Sequence, residues 1–228
     1  MAEANCALPR NLLFDLDGTL LDSLPGIQYS AEAAFRACGI EVGKTPLRSL
    51  IGPPIRTILE RMAARPVDGA ELDSLEQSFR WSYDTEGWRM TPHYEGAVES
   101  LEVLKASGRR LFVVSNKPRH ASLRILEAEG TLGVFDEIVT RDSRVPPYSA
   151  KCEMVSNLLQ KWELDASECL MVGDTMEDAE AASNSAMPFC LMTHGYGDVP
   201  VGSTVPVTFR LGHFSELVPL AAQEKLID

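Results

Sequence analysis

A chain of 228 residues, 45% hydrophobic and 24% charged, is long enough to bury one large domain, or one domain carrying a smaller insert. Its net charge of −12 argues against a nucleic acid polymer as partner, and any phosphate site must build positive potential locally from a metal ion or a few placed cations. Five scattered cysteines, Cys6, Cys38, Cys152, Cys169 and Cys190, form no CxxC pair, no apolar run is long enough to cross a membrane, and the N-terminus lacks a signal-peptide pattern; together these suit a cytoplasmic protein without disulfides or a zinc cluster.

In chain order, Asn11 to Phe14 is a short apolar strand running into the polar turn Asp15-Leu16-Asp17-Gly18-Thr19. Ser23 to Gly39 reads as a helix with Ile27, Ala31, Ala34 and Phe35 at helical spacing. The stretch to about Trp88 contains only helical signals, Ile55–Met62 and Leu72–Tyr83, broken by Pro53-Pro54 and Pro66. Tyr29 and Phe35 read as packing within it, and Trp81, Tyr83 and Trp88 as an aromatic cluster at its junction with the rest of the chain. After Thr91-Pro92 strands and helices alternate: helix 98–106, strand 110–114, helix 122–129, strand 138–139, helix 152–162, strand 169–172, a helix from 178, strand 189–192. That alternation predicts an α/β fold, a Rossmann-like parallel sheet flanked by helices, made of residues 1–20 and 91–228, with an inserted helical domain at 21–90.

Ligands of open α/β sheets bind outside the carboxyl ends of the strands. The first strand ends on Asp15 and Asp17, the second on Ser115-Asn116-Lys117, and a later one on Asp174, with Asp178 one helical turn on; Lys151 opens the helix before that last strand. The set suits phosphoryl transfer. Magnesium takes oxygen ligands, which Asp15 and Asp174 can supply, with the Asp17 backbone carbonyl available if its side chain points elsewhere. A carboxylate can attack phosphorus to form an aspartyl phosphate. A second carboxyl on the same turn can protonate the leaving alkoxide and then deprotonate water. Ser115, the Asn116 N–H and Lys151 are suitable phosphate donors. Asp178 is either an acidic first-turn residue favoured by the helix dipole or a group holding a metal-bound water. Arg56, after Gly-Pro-Pro, either reaches a substrate anion or sits in a surface ion pair.

These residues carry a family resemblance. Phe14-Asp15-Leu16-Asp17-Gly18-Thr19-Leu20, Val114-Ser115-Asn116-Lys117, Lys151, and Val172-Gly173-Asp174-Thr175 with Asp178 resemble the four successive motifs of the haloacid dehalogenase superfamily. The resemblance implies Asp15 as nucleophile and Asp17 as general acid/base. It puts Asp15, Asp17 and Asp174 around Mg2+, and Ser115 and Lys151 on phosphate. It also implies a helical cap after the first strand. An aspartate at position 17 is what phosphatases and phosphomutases of the superfamily carry. Ile51-Gly52-Pro53-Pro54-Ile55, Lys151-Cys152-Glu153-Met154-Val155 and Gly195-Tyr196-Gly197 are similar to its phosphoglycolate-phosphatase-like group. Cys152 replaces a proline common after the third-motif lysine, Glu95-Gly96 a Pro-Gly turn, and His194 a common aromatic; Lys117, otherwise a solvated residue, is the fallback phosphate ligand.

The expected activity is hydrolysis of a small-molecule phosphate monoester (phosphoglycolate-like, a sugar phosphate or a nucleotide monophosphate) by a monomer or homodimer. The alternatives are a phosphomutase and a non-catalytic phosphate- or metal-binding module on the same fold.

Overall fold

The computed structural model describes residues 8–222; Cys6 lies outside them. Six strands form one sheet: β1 (Asn11–Phe14), β2 (Arg110–Ser115), β3 (Glu137–Thr140), β4 (Cys169–Gly173), β5 (Phe189–Met192) and β6 (Phe209–Leu211). Their order is β3-β2-β1-β4-β5-β6 and every pairing is parallel. The chain lays strands to one side of β1, then crosses to the other side with β4. The crevice between the carboxyl ends of β1 and β4 is therefore the topological switch point, where open α/β sheets bind ligands.

Parallel strands buried on both faces read as continuous apolar runs, and all four residues of β1 are buried. Alternate residues feed opposite faces. Leu12 and Phe14 join Leu111, Val113, Leu170 and Val172 beneath α4 (Ala97–Ala106) and α5 (Arg119–Ala128). Leu13 joins Phe112, Val114 and Met171 beneath α6 (Lys151–Trp162) and α7 (Met176–Asn184). Phe14 is fully buried, which contributes about 1.5–3 kcal/mol relative to leaving it exposed. The last strand and α8 (Leu217–Ala222) add elements that the sequence pattern did not predict.

Between β1 and α4 the chain is helical: α1 (Leu24–Cys38), α2 (Ile55–Met62) and α3 (Gly69–Thr85). Gly39 ends α1 in the left-handed conformation that glycine adopts without strain. Asp68 starts α3 three residues ahead of the expected Leu72, because Asp68 and Glu71 form a reciprocal capping box. These helices share their own apolar cluster, including Ile27, Phe35, Ile58, Leu75 and Phe79. Phe35 packs as expected, but Tyr29 is exposed. Of the expected aromatic cluster, Tyr83 and Trp88 pack at the junction, and Trp81 does not. Trp81 is 71% exposed, Trp88 lies under the guanidinium groups of Arg89 and Arg124, and Tyr83 turns toward the sheet edge. Among the described residues no helix is long and apolar enough to cross a membrane, and Cys38, Cys152, Cys169 and Cys190 are free.

The first helix meets the 87–90 turn backbone to backbone. A Cβ on Gly26 would lie 2.2 Å from the Gly87 carbonyl oxygen, and one on Gly87 2.2 Å from Ser30 Oγ. Neither neighbour is the far end of a long flexible side chain. Gly26→Ala should therefore cost about 1–3 kcal/mol, the usual penalty of overpacking. Gly133→Ala, with nothing within 4 Å, should stay within about 0.5 kcal/mol of the parent. Urea unfolding of the two variants checks this: equal midpoints would contradict the close approach.

Candidate active site

Asp15 follows β1, and its N–H still bonds the Val172 carbonyl at 3.0 Å. That bond keeps the residue in register with β4, whose end carries Asp174. Both carboxylates are buried, as is Asp178. Oxygens of Asp15, Asp174 and Asp178 lie within 4.8 Å of one another. Each is held from a different direction. Asp174 Oδ2 accepts from the backbone N–H groups of Tyr196 (2.7 Å) and Gly197 (3.2 Å), and its Oδ1 from Thr19 Oγ1 at 3.3 Å. Asp178 Oδ2 accepts from Thr175 N (3.0 Å) and Thr175 Oγ1 (2.6 Å) in the capping box that starts α7. Lys151, the first residue of α6, donates to Asp178 Oδ1 at 2.6 Å and lies 3.0 Å from Asp15 Oδ1. Cys152 in place of proline thus leaves the lysine on the nucleophile candidate.

Three carboxylates face one ammonium, and the electrostatics record the imbalance. Burial pushes the Asp15 carboxyl up to about 8; Lys151 opposes this, while Asp178, Asp174 and Asp17 add to it. Burial and then Asp178 raise Asp174 to about 7, against the N–H bonds of Tyr196 and Gly197 and the Lys151 charge. For Lys151, burial works to remove the proton, yet Asp15 and Asp178 outweigh it and hold its pKa above the ordinary range. Close packing leaves this cluster little room to relax. A Cβ at Gly18, whose φ is +87°, would lie 2.3 Å from Asp174 Oδ2, and one at Gly195 2.2 Å from Asp174 Cβ. The all-oxygen donor set and its surplus of buried negative charge fit a hard divalent cation, with Asp15 and Asp174 as carboxylate donors.

Asp17 does not join this cluster by its side chain. Its Oδ1 accepts from Lys117 Nζ at 2.8 Å. Lys117 is buried rather than solvated, which corrects the expectation from sequence. Its ammonium also donates to Tyr83 Oη at 2.8 Å, and Tyr83 Oη lies 3.2 Å from Thr91 Oγ1. Burial lowers the Lys117 pKa, but Asp17 and Tyr83 outweigh it and raise it above its ordinary value. Ser115 Oγ is buried at the end of β2 and accepts from Lys117 N at 3.3 Å. The Asn116 amide spans the site, donating to Gly52 O at 3.1 Å and to Glu177 Oε2 at 2.9 Å.

A cavity of about 190 Å³ opens beside Asp15 and Asp17, lined by Ser115, Asn116 and Lys117 from the sheet and by residues of all three helices of the 24–85 segment. Arg56 is not among its lining residues. Its guanidinium pairs with Asp73 at 2.6 Å and Glu76 at 3.0 Å, the surface ion pair of the two alternatives. Arg80, which the sequence did not single out, does line the cavity. Lys117, Tyr83 and the Tyr196/Gly197 N–H pair were likewise missed in these positions. Gly195-Tyr196-Gly197, where two glycines flank an aromatic, and Lys117, at the end of the second motif, carried a visible signal, but not the partners they take here.

Comparisons with known proteins give the family. Residues 12–192 match the family model of the haloacid dehalogenase-like hydrolases. The chain is 30% identical to a phosphoglycolate phosphatase of Rhodobacter capsulatus over 90% of this chain and 94% of that one. It is 31% identical to a phosphoglycolate phosphatase of Agrobacterium fabrum over 94% and 93%. Among solved structures, a predicted phosphatase from Clostridium acetobutylicum superposes with a TM-score of 0.80 at 26% identity, covering 93% of this chain and 98% of that one.

The raised carboxyls give a sign to the pH dependence. Asp15 and Asp174 ionise near 8 and 7 when folded and at about 3.9 when unfolded. The folded chain therefore holds more protons between these limits, and stability falls as pH rises from about 4 to about 8. A divalent cation bound to the ionised carboxylates should remove that loss. Melting temperatures between pH 5 and 8 should fall in chelator and stay flatter in magnesium. A chelated protein whose melting temperature does not fall over this range would contradict the cluster's charge surplus.

Proposed function

The chain belongs to the haloacid dehalogenase-like hydrolases, and from that premise we propose that it is a magnesium-dependent phosphatase that hydrolyses a small phosphate monoester through an aspartyl phosphate on Asp15. The observation that carries this reading is the meeting of Asp15, Asp174 and Lys151 at the switch point, beside a cavity into which Asp17 also faces. Magnesium, held by Asp15, Asp174 and the Asp17 backbone carbonyl, would neutralise the carboxylates and the phosphate they must approach.

The residues divide the work between attack, proton transfer and binding. An oxygen of Asp15 attacks phosphorus, and the bond from phosphorus to the ester oxygen breaks. The leaving alkoxide takes a proton from the Asp17 carboxyl. Asp17, now ionised, takes a proton from water as that water attacks phosphorus, and the bond to Asp15 breaks to release phosphate. Lys151 holds Asp15 in place and balances charge as phosphoryl transfer proceeds. The Ser115 hydroxyl and the Asn116 N–H bind the phosphate oxygens. Asp178 keeps Lys151 aimed. Lys117 fixes the Asp17 side chain on the cavity side, and Tyr83 fixes Lys117. Residues 21–90 act as the cap over the core built from 1–20 and 91–228. The volume of about 190 Å³ is below the roughly 300 Å³ at which pockets for drug-sized ligands begin. It supports a small ester rather than a bisphosphorylated sugar. A cytosolic location agrees with the four free thiols among the described residues.

Phosphate release from a panel of monoesters with magnesium tests the reading. Activity should vanish in chelator and in Asp15→Asn. Lys151→Ala should lower kcat/KM by roughly thirty- to a thousandfold, as expected for a lost charge-assisted contact of about 2–4 kcal/mol. Lys117→Met should mainly slow esters of poor leaving groups and spare nitrophenyl phosphate, whose leaving group needs no proton. Appreciable turnover by Asp15→Asn would sink the covalent mechanism, and equal losses on good and poor leaving groups would separate Lys117 from acid catalysis.

A further inference from the structure

One wall of the cavity is apolar. Ile27 from α1, Ile51, Ile55 and Ile58 from the start of α2 and its preceding loop, and Phe79 from α3 line it. An ester of a hydroxy acid, phosphoglycolate included, brings a second anion that needs a cation there, because an unpaired buried carboxylate is strongly disfavoured. The buried cations are already committed. Lys117 is held by Asp17 and Tyr83, and Lys151 by Asp15 and Asp178. Arg80 lines the cavity, but its Nε and Nη2 both reach Glu76 Oε1, at 3.2 and 2.6 Å, and Arg56 shares the same glutamate. His120 is the remaining basic residue on the lining, at the exposed start of α5, and Asp84 and Asp142 line the cavity too. A carboxylate would face this acidic rim and an isoleucine wall.

We propose that the preferred substrates are monoesters of small, uncharged, partly apolar alcohols rather than of hydroxy acids. This deepens the phosphatase reading and rests on it. The reaction is unchanged: one phosphorus–oxygen bond is hydrolysed, and the neutral alcohol leaves with the proton from Asp17.

The test is steady-state phosphate release by the full chain with magnesium, on propyl phosphate and phosphoglycolate, with nitrophenyl phosphate as the measure of phosphatase activity itself. Propyl phosphate should exceed phosphoglycolate at least tenfold in kcat/KM. Glu76→Gln, which frees Arg80, and Ile55→Lys, which adds an ammonium to the apolar wall, should each shift that ratio toward phosphoglycolate. Equal or better turnover of phosphoglycolate by the parent chain would overturn the proposal and leave the phosphatase reading standing. A ratio that neither variant moves would also overturn it. No release from any ester, nitrophenyl phosphate included, would withdraw the phosphatase reading and this proposal together.

Discussion

The Lys151 ammonium, wedged between Asp15 and Asp178 with Asp174 beside them, is the contact on which the rest of the structure depends. Buried carboxylates repel one another and resist ionisation. One ammonium cannot offset three of them, so the site keeps an appetite for positive charge. Around that demand the chain arranges closely packed backbone. Gly18 and Gly195 let two loops close on Asp174. The Tyr196 and Gly197 N–H groups fix one of its oxygens. The capping box at α7 turns Asp178 inward rather than toward water. An acidic protein thereby presents a concentration of buried negative charge where a cation and a phosphate would meet.

A second buried ammonium ties the helical segment to this centre. Lys117 donates both to Asp17 and to Tyr83 from α3. Asn116 donates to Gly52 in the loop before α2, and Arg48, from the same stretch, donates to the carbonyls of His194 and Gly195. The residues that would recognise the leaving group are thus linked to the residue proposed to protonate it. Tyr83 is central to that link: its ring stacks on Phe79 at 5.5 Å between centroids, while its hydroxyl holds Lys117.

The sequence makes part of this visible. Strand ends are readable because parallel strands are short apolar runs and the residues after them are polar. Asp15, Asp17, Ser115, Asp174 and Asp178 all fall at such ends, and Lys151 at a helix start. Boundaries shift where side chains cap helices, as Asp68 does for α3 and Thr175 for α7. The last strand, Phe209–Leu211, is too short and too half-exposed to give a pattern. What a linear reading misses is pairing between distant segments. Lys117 looks like a solvated residue after a strand until Asp17, 100 residues away, and Tyr83 are seen to enclose it. Arg56 stands two residues beyond the Pro53-Pro54 break, next to cavity-lining Ile55, but Asp73 and Glu76 on α3 claim it.

Whether Asp15 becomes covalently phosphorylated decides the account most directly. Borohydride reduces an acyl phosphate of aspartate to homoserine, which peptide mass mapping locates. Turnover on a good monoester with magnesium, quenched and reduced, should yield homoserine at position 15 and at no other acidic position, and none without substrate. Homoserine at another aspartate, or its absence while phosphate is being released, would contradict the account.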